Sequence, residues 1–178
     1  ISVLTEEDYF RGSLDDLQLV VQSVAVPVLR KDFIFDEYQV YETAAAGADA
    51  LLLIVAALEV NRLTALRRIT EDELGMDALV EVHTAEEIGQ AVAAGARIIG
   101  VNNRNLHTFS VSLETSVELI EQAPADVVLV SESGLHTSAD LRRLRALGYR
   151  GFLIGETLMR AESPAEALRQ LLGATVSD

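Results

Sequence analysis

Five polar side chains follow apolar runs of this sequence, and their types suit acid-base chemistry. They are Lys31, Glu81, Asn102, Arg104 and Glu132. A cation and two carboxylates brought together can protonate a carbonyl, hold an amine and shuttle a proton. The alternative interpretation of the same residues is a structural cluster of ion pairs. Asn102 and Arg104 add hydrogen-bond donors that do not titrate near neutral pH.

Lys31 carries the strongest of these signals. It stands in the stretch PVLRKDF, residues 27–33, which turns abruptly from apolar to charged. We expect residues 26–29 to form a short buried strand, with Lys31 as the first side chain that looks out from its end. An ammonium group in that position loses hydration, so it either pairs with a carboxylate or shifts its pKa.

Composition limits the class of protein. The chain has 178 residues, 49% hydrophobic and 24% charged, which suits one globular domain with a substantial core. Its formal net charge of −14 argues against nucleic-acid partners and against an anionic membrane surface. The sequence has no cysteine, so thiol nucleophiles and disulfides are excluded. We expect a cytoplasmic protein, because the longest apolar run is too short for a bilayer and the first residues do not resemble a signal peptide.

Apolar runs and helical patterns alternate along the chain. The predicted strands cover residues 1–4, 24–31, 50–55, 79–82, 97–101, 126–130 and 152–154. Helical patterns lie between them, opened by caps such as Ser13, Asp36 and Thr84, the last with Glu87 at the capping-box position. Strict alternation, with strands apolar on both faces, predicts a parallel sheet wrapped by helices.

Two architectures fit this alternation, an open doubly wound sheet and a closed (β/α)8 barrel. No Gly-rich phosphate turn follows an early strand, and polar residues stand at nearly every strand end, so we favour the TIM barrel. We count about seven strand-helix units, whereas closure needs eight, and the chain opens inside a strand. The expectation is one α/β domain over residues 1–178, a barrel lacking its first unit and leaving two open sheet edges.

The loops after the last two predicted strands contain the pairs Ser133-Gly134 and Gly155-Glu156. Small residues there let backbone N–H groups approach an anion, and the last two loops of barrels commonly hold phosphate. Tight turns alone are the alternative explanation for the two glycines. Their joint position favours a phosphate site.

Two aromatic side chains, Phe10 and Phe33, stand just beyond strand ends, where together they could wall an aromatic ligand. His83 is a candidate base or ligand, but the sequence offers no partners at metal-site spacing. His107 and His136 fall in loops, where solvation is expected. We therefore expect neither a metal nor a cofactor.

Seven stretches, taken in order, resemble indole-3-glycerol phosphate synthase, a phosphate-binding barrel of tryptophan biosynthesis. They are ISVLTEEDYFRGSL (1–14), PVLRKDFIFDEYQVYE (27–42), GADALLLIVAAL (47–58), ALVEVH (78–83), IIGVNNRNL (98–106), LVSESG (129–134) and FLIGETLMR (152–160). The resemblance implies ring closure of 1-(2-carboxyphenylamino)-1-deoxyribulose 5-phosphate to indole-3-glycerol phosphate. That reaction is a carbon-carbon lyase step that releases carbon dioxide and water.

The resemblance also implies catalytic roles for single residues. Lys31 looks like the general acid that protonates the ketone as the aromatic ring carbon attacks it. Glu81 is similar to the acid-base residue of the dehydration step. Asn102 matches a polar positioning residue, and Glu132 matches a carboxylate that contacts the substrate.

The same resemblance implies a set of binding residues. Those expected to bind the substrate are Phe10, Phe33, Leu53, Arg104 and Ser133, the first three on its anthranilate side. Those expected at the phosphate cup are Ser133, Gly134 and Gly155, with Glu156 beside them. Glu156 stands where the resemblance implies either a small serine or a glutamate, so it is tolerated there but adds negative charge near the phosphate.

The resemblance places the family's first strand, with its Glu-x-Lys and Ser-Pro-Ser motifs, upstream of Ile1. We therefore expect little or no turnover from the 178 residues alone, although the complete enzyme is expected to be a monomer. The alternative function is a catalytically incomplete barrel fragment that self-associates through open sheet edges. A second enzymatic alternative, the neighbouring phosphoribosylanthranilate isomerase, is expected to need a Cys and Asp pair, and the sequence has no cysteine.

Overall fold

Seven parallel strands form one curled sheet in the computed structural model, which describes residues 1–106 and 108–173. The strands are β1 (Ser2–Leu4), β2 (Leu29–Lys31), β3 (Ala50–Ile54), β4 (Asp77–Val82), β5 (Ile98–Asn102), β6 (Val128–Glu132) and β7 (Gly151–Leu153). They lie side by side in chain order. His107, expected in a loop, and residues 174–178 lie outside the described residues.

Helices connect the strands and pack against one face of the sheet. They are α1 (Leu14–Ser23), α2 (Glu37–Ala45), α3 (Val60–Arg68), α4 (Ala85–Ala93), α5 (Glu114–Leu119), α6 (Ser138–Leu147), α7 (Glu156–Met159) and α8 (Pro164–Leu171). Within the described ranges, no helix combines the length and apolar character needed to cross a membrane. The predicted alternation is confirmed as an α/β half-barrel of seven parallel strands.

Successive residues of each strand face opposite sides of the sheet. On the helix side, Leu51 and Leu53 of β3 join a large core with helix residues such as Leu63. On the other side, which we call the inner face, Leu52 and Ile54 form a second apolar cluster with neighbouring strands. Each strand therefore sends every second side chain toward the helices and the others toward the inner face.

Two strands begin later than predicted. β2 starts at Leu29 rather than residue 24, because Pro27 has no N–H to donate and Val26 is half exposed. Val28 is buried, but its N–H donates to Asp49 Oδ2 at 2.8 Å. β6 likewise begins at residue 128 rather than 126. Lys31 is consequently the last residue of β2 and not a residue beyond its end.

The start of α4 differs from the predicted capping box. Thr84 caps the helix as expected, with its hydroxyl accepting from the Glu87 N–H at 3.2 Å. The Glu87 carboxylate, however, accepts from the N–H of His83 at 2.5 Å instead of returning to Thr84. This contact fixes the first residue after β4 against the helix.

Candidate active site

The structure brings Lys31, Glu81, Asn102 and Glu132 together at the carboxyl ends of β2, β4, β5 and β6. Lys31 Nζ lies 3.5 Å from Glu81 Oε2, and Asn102 Nδ2 donates to Glu81 Oε1 at 3.1 Å. Glu81 and Glu132 are 2% and 1% exposed, so both carboxyl groups are removed from bulk water. The predicted convergence of these strand ends is confirmed, at the end of the sheet where barrel enzymes build their active sites.

Gly100 makes room for Glu132. It pairs in register with Glu81 on one side and with Val130 on the other. A Cβ atom at residue 100 would lie 2.0 Å from Glu132 Oε1. The missing side chain therefore lets the Glu132 carboxyl group lie across β5 toward Glu81.

The environments of the two carboxyl groups shift their pKa values in opposite directions. Burial, followed by the nearby charge of Glu81, raises the pKa of the Glu132 carboxyl group. Burial opposes the ionisation of Glu81 too, but the His83 ring at 3.4 Å and the charge of Lys31 bring the pKa of Glu81 below its usual range. Groups this strongly coupled titrate as a pair. At neutral pH, Glu81 is therefore ionised and Glu132 is protonated.

Three buried polar atoms of this cluster have no hydrogen-bond partner among the described residues. They are Glu81 Oε2, His83 Nε2 and Glu132 Oε1. Buried polar atoms are nearly always paired in folded proteins. Glu81 Oε2 and His83 Nε2 have charged neighbours only at 3.5 Å and 3.4 Å, so the cluster keeps hydrogen-bonding capacity that a ligand could use.

Phe10 and Phe33, which follow β1 and β2, approach each other. Their ring centroids are 6.4 Å apart with planes inclined by 37°, and both rings are about half exposed. The predicted position of Leu53 is wrong. Leu53 is fully buried in the core between sheet and helices, because its neighbours Leu52 and Ile54 occupy the inner-face positions of β3.

The loops after β6 and β7 use their glycines differently. Ser133 and Gly134 both have left-handed backbone, with φ of 67° and 71°. A Cβ atom at Gly134 would lie 2.4 Å from Val111 Cγ1, so packing alone requires glycine there. At Gly155 no such neighbour lies within 4 Å of the position that a Cβ would take. Packing therefore explains Gly134 but not Gly155.

Arg104 and Glu156 form an ion pair that links the loop after β5 to the start of α7. Arg104 Nη2 lies 3.1 Å from Glu156 Oε2, and Arg160 Nε lies 3.0 Å from the other carboxylate oxygen. The backbone N–H of Arg104 donates to Asn102 Oδ1 at 3.0 Å, which ties this loop to the cluster around Glu81. An anion that binds Arg104 must therefore compete with Glu156.

His83 is a site residue that sequence reasoning set aside for want of partners. The structure supplies two partners: Nε2 lies 3.4 Å from Glu81 Oε1, and Nδ1 lies 3.2 Å from Glu87 Oε2. The sequence does show that His83 and Glu87 are four residues apart across a helix start. The capping box, however, already predicts Thr84 as the partner of Glu87.

Arg30 is a second residue that sequence reasoning missed. It is 4% exposed and its guanidinium lies 2.9 Å from both Asp32 and Glu42. Its Nε donates to Thr5 Oγ1 at 2.9 Å. Arg30 thereby joins β1, α2 and the residue that follows Lys31. Its position next to Lys31 in a strand already implied that the two side chains face opposite sides.

Residues 1–171 match the protein family described as Indole-3-glycerol phosphate synthase. Two similar curated relatives carry that name. The relative from Carboxydothermus hydrogenoformans is 51% identical over 173 residues, which is 97% of this chain and 65% of the relative. The relative from Chloroherpeton thalassium is 54% identical over 161 residues, which is 90% of this chain and 62% of the relative. The chain thus spans slightly less than two thirds of these relatives.

Solved structures support the fold. A crystal structure of mandelate oxidase with benzoyl-formic acid matches with a TM-score of 0.74 at 19% identity, covering 97% of this chain and 61% of that one. At this low identity the likeness concerns the architecture alone. The family match over residues 1–171 is much more specific than the fold, and it shows that the chain belongs to the indole-3-glycerol phosphate synthase family.

Proposed function

We propose that the whole protein catalyses the synthase reaction of its family in tryptophan biosynthesis. It closes 1-(2-carboxyphenylamino)-1-deoxyribulose 5-phosphate to indole-3-glycerol phosphate, releasing carbon dioxide and water, and it acts as a carbon-carbon lyase without a cofactor. The observation that carries this proposal is the contact of the Lys31 ammonium with ionised Glu81, beside protonated Glu132. That arrangement holds a proton donor and a proton acceptor within one small volume.

Ring closure needs a proton on the ketone oxygen while the ring carbon that bears the carboxylate attacks the ketone carbon. Lys31 is the proposed donor, because its side chain remains 28% exposed while it pairs with Glu81, so a ligand can reach it. The new bond leaves the carboxylate on a tetrahedral carbon. Loss of carbon dioxide returns the bonding electrons to the ring and restores its aromaticity.

Dehydration then removes the new hydroxyl group as water and a proton from the adjacent carbon. Glu81 is the proposed base for this proton, because it is ionised and Asn102 orients it. Glu132 carries a proton at neutral pH, so it can donate a hydrogen bond to a substrate oxygen. Glu81 thus supplies the proton acceptor for the carbon-bound proton, and Glu132 supplies the proton with which the hydroxyl group leaves as water.

Phosphate is proposed to bind at the loops after β6 and β7, through backbone N–H groups near Ser133, Gly134 and Gly155. The open space beside Gly155 supports this position. Arg104 can contact the anion once it leaves Glu156. The half-exposed pair Phe10 and Phe33 supplies apolar surface for the aromatic ring of the substrate.

The test is turnover of the proposed substrate by the whole protein, followed by indole fluorescence and by mass spectrometry of the product. We expect one carbon dioxide for each indole-3-glycerol phosphate formed. Phosphoribosylanthranilate serves as the matched control substrate and should not be converted. A folded protein that converts only phosphoribosylanthranilate, or neither compound, would contradict the proposal.

We propose further that the 178-residue chain, taken by itself, self-associates. In the described sheet, β1 and β7 each pair with a single neighbour, and Leu4 of β1 is 39% exposed. An unpaired strand edge is a template for another chain. Light scattering of this chain should give a multiple of 19.3 kDa, with little or no turnover. A monomer over a wide concentration range would contradict self-association.

A further inference from the structure

His83 bridges two carboxylates at the edge of the candidate site. Its Nδ1 lies 3.2 Å from Glu87 Oε2, and its Nε2 lies 3.4 Å from Glu81 Oε1. The same Glu87 oxygen accepts from the backbone N–H of His83 at 2.5 Å. The imidazole is only 12% exposed. Glu87 therefore holds both the backbone and the ring of His83 while the other ring nitrogen faces Glu81.

The charged groups that act on this imidazole are Glu81 of β4, Glu87 of α4 and Glu132 of β6. Lys31 of β2 lies on the far side of Glu81, and Arg104 after β5 lines the same cavity as His83. Burial disfavours the charged imidazole, but hydrogen bonds and the charges of Glu81 and Glu87 outweigh it and raise the pKa of His83 to about 9. At neutral pH the ring is therefore an imidazolium between two ionised carboxylates.

A purely structural histidine would have both ring nitrogens satisfied. Nε2 of His83 is buried without a hydrogen bond of good geometry, and its nearest acceptor is the carboxylate of Glu81. His83 also lines a polar cavity of about 290 Å³ together with Asn102 and Arg104. The ring is thus continuous with the candidate site rather than enclosed in the core.

We propose that His83, held in place by Glu87, is a positioning residue that orients the Glu81 carboxylate and keeps it ionised. This inference rests on the proposed function, in which Glu81 accepts a proton during dehydration. A protonated Glu81 cannot accept that proton. Loss of the imidazolium removes a positive charge 3.4 Å from Glu81, so Glu81 becomes protonated at a higher pH than before.

The first test is an NMR titration of histidine-labelled whole protein, in which the His83→Gln variant assigns the His83 signal. We expect a titration midpoint near 9 in the wild type and a lower midpoint in Glu87→Gln. The matched control is Glu86→Gln, because Glu86 is an exposed residue in the same first turn of α4. A wild-type midpoint close to the ordinary value of about 6.5 would overturn the proposal.

The second test is the pH dependence of kcat/KM for the proposed substrate. The acid limb, which belongs to the coupled Glu81 and Glu132 pair, should move up by about one pH unit in His83→Gln. Glu87→Gln should move it less, and Glu86→Gln should not move it. An unmoved limb with uniformly lower kcat would assign His83 a merely structural role.

These two tests separate the inference from the proposed function. If the wild type shows no turnover, the proposed function fails, while the NMR titration still decides whether His83 is an imidazolium held between two carboxylates. If His83→Gln does not fold, the NMR titration and the pH profile are both measured on Glu87→Gln. Glu87 is only partly buried, so we expect this variant to fold. A Glu87→Gln variant with the wild-type midpoint and the wild-type acid limb would then overturn the proposal.

Discussion

Two buried glutamates at opposite ends of β4 are held in different ways. Glu71 lies in the π-helical segment Ile69–Glu73, which leads into β4, and its side chain is 1% exposed. It lies 2.5 Å from Arg67 and 3.3 Å from Arg97. Glu81, near the other end of the strand, is paired with Lys31 and His83 at longer distances. Each glutamate has one oxygen without a hydrogen-bond partner among the described residues.

Burial and an unpaired oxygen therefore do not distinguish a carboxylate that can take part in proton transfer from a structural one. The two kinds of carboxylate differ in their ion-pair partners. Arginine keeps its proton in proteins, so the Glu71 cluster has a fixed charge pattern. Lysine and histidine exchange protons, and Glu81 also faces a second carboxyl group, so protons can move within that cluster.

The largest expected effect comes from removing each carboxylate charge in turn. Glu81→Gln should lower kcat of the whole protein by about 10²-fold to 10⁴-fold, because it removes the carboxylate that we propose as the base. Glu71→Gln should leave kcat within about twofold of wild type but lower the free energy of unfolding by about 3 kcal/mol, because Arg67 keeps a buried charge with a weakened partner. Steady-state kinetics and urea unfolding of both variants check this. Equal losses of kcat in Glu81→Gln and Glu71→Gln would contradict the different roles given to the two glutamates.

A large effect on stability is expected from Arg30→Met. Arg30 is almost fully buried, and its removal leaves Asp32 without its ion-pair partner. The free energy of unfolding should fall by about 3 kcal/mol. Arg62→Met is the matched control, because Arg62 is 36% exposed and its ion pairs lie at the surface. Its loss should cost less than about 1 kcal/mol. A urea denaturation experiment in which Arg62→Met loses more unfolding free energy than Arg30→Met would contradict a structural role for the buried Arg30.

A smaller effect is expected from adding single methyl groups at two glycines. Gly100→Ala should lower kcat about tenfold, because the methyl group displaces the Glu132 carboxyl group. Gly155→Ala should leave kcat and stability nearly unchanged and should raise KM, because the added group narrows the approach of phosphate to the backbone. Initial rates at saturating and at limiting substrate give kcat and kcat/KM, and these separate the loss of kcat in Gly100→Ala from the rise of KM in Gly155→Ala. A Gly155→Ala variant with wild-type KM would argue against phosphate at this loop.

The smallest expected effect is a dependence of stability on pH. Folding raises the pKa of Glu132 from 4.5 to about 8 and the pKa of His83 from 6.5 to about 9. A group whose pKa is raised by folding stabilises fully below its unfolded value and loses this contribution as the pH passes its folded value. Tm should therefore fall as the pH rises from about 5 to about 9, and it should fall less in Glu132→Gln. Equal slopes of Tm against pH in the two proteins would contradict a raised pKa at Glu132.

The strand-end residues could be predicted because their signal is local. An apolar run that ends in a charged residue marks Lys31, Glu81 and Glu132 without any knowledge of tertiary contacts. The alternation of runs and helical patterns then places these ends on one side of a parallel sheet. The convergence of the cluster follows from that topology.

Features that depend on tertiary contacts could not be predicted. The five residues of β3 are all apolar, so nothing in the strand tells which of them face inward, and Leu53 was placed on the wrong face. The contact of Gly134 with Val111 joins two loops that are far apart in sequence. His83 had a readable partner in Glu87, but a competing local pattern explained that spacing equally well.

We propose that the inner-face cluster around Lys31 is the catalytic centre of the whole protein. The most direct measurement is kcat of Lys31→Ala, with Tm measured on the same sample. Lys31 is the only lysine of the 178 residues, so no other lysine of this chain can replace it. We predict a loss of at least about 10²-fold in kcat with little change in Tm. A folded Lys31→Ala protein with turnover near that of the wild type would contradict the claim.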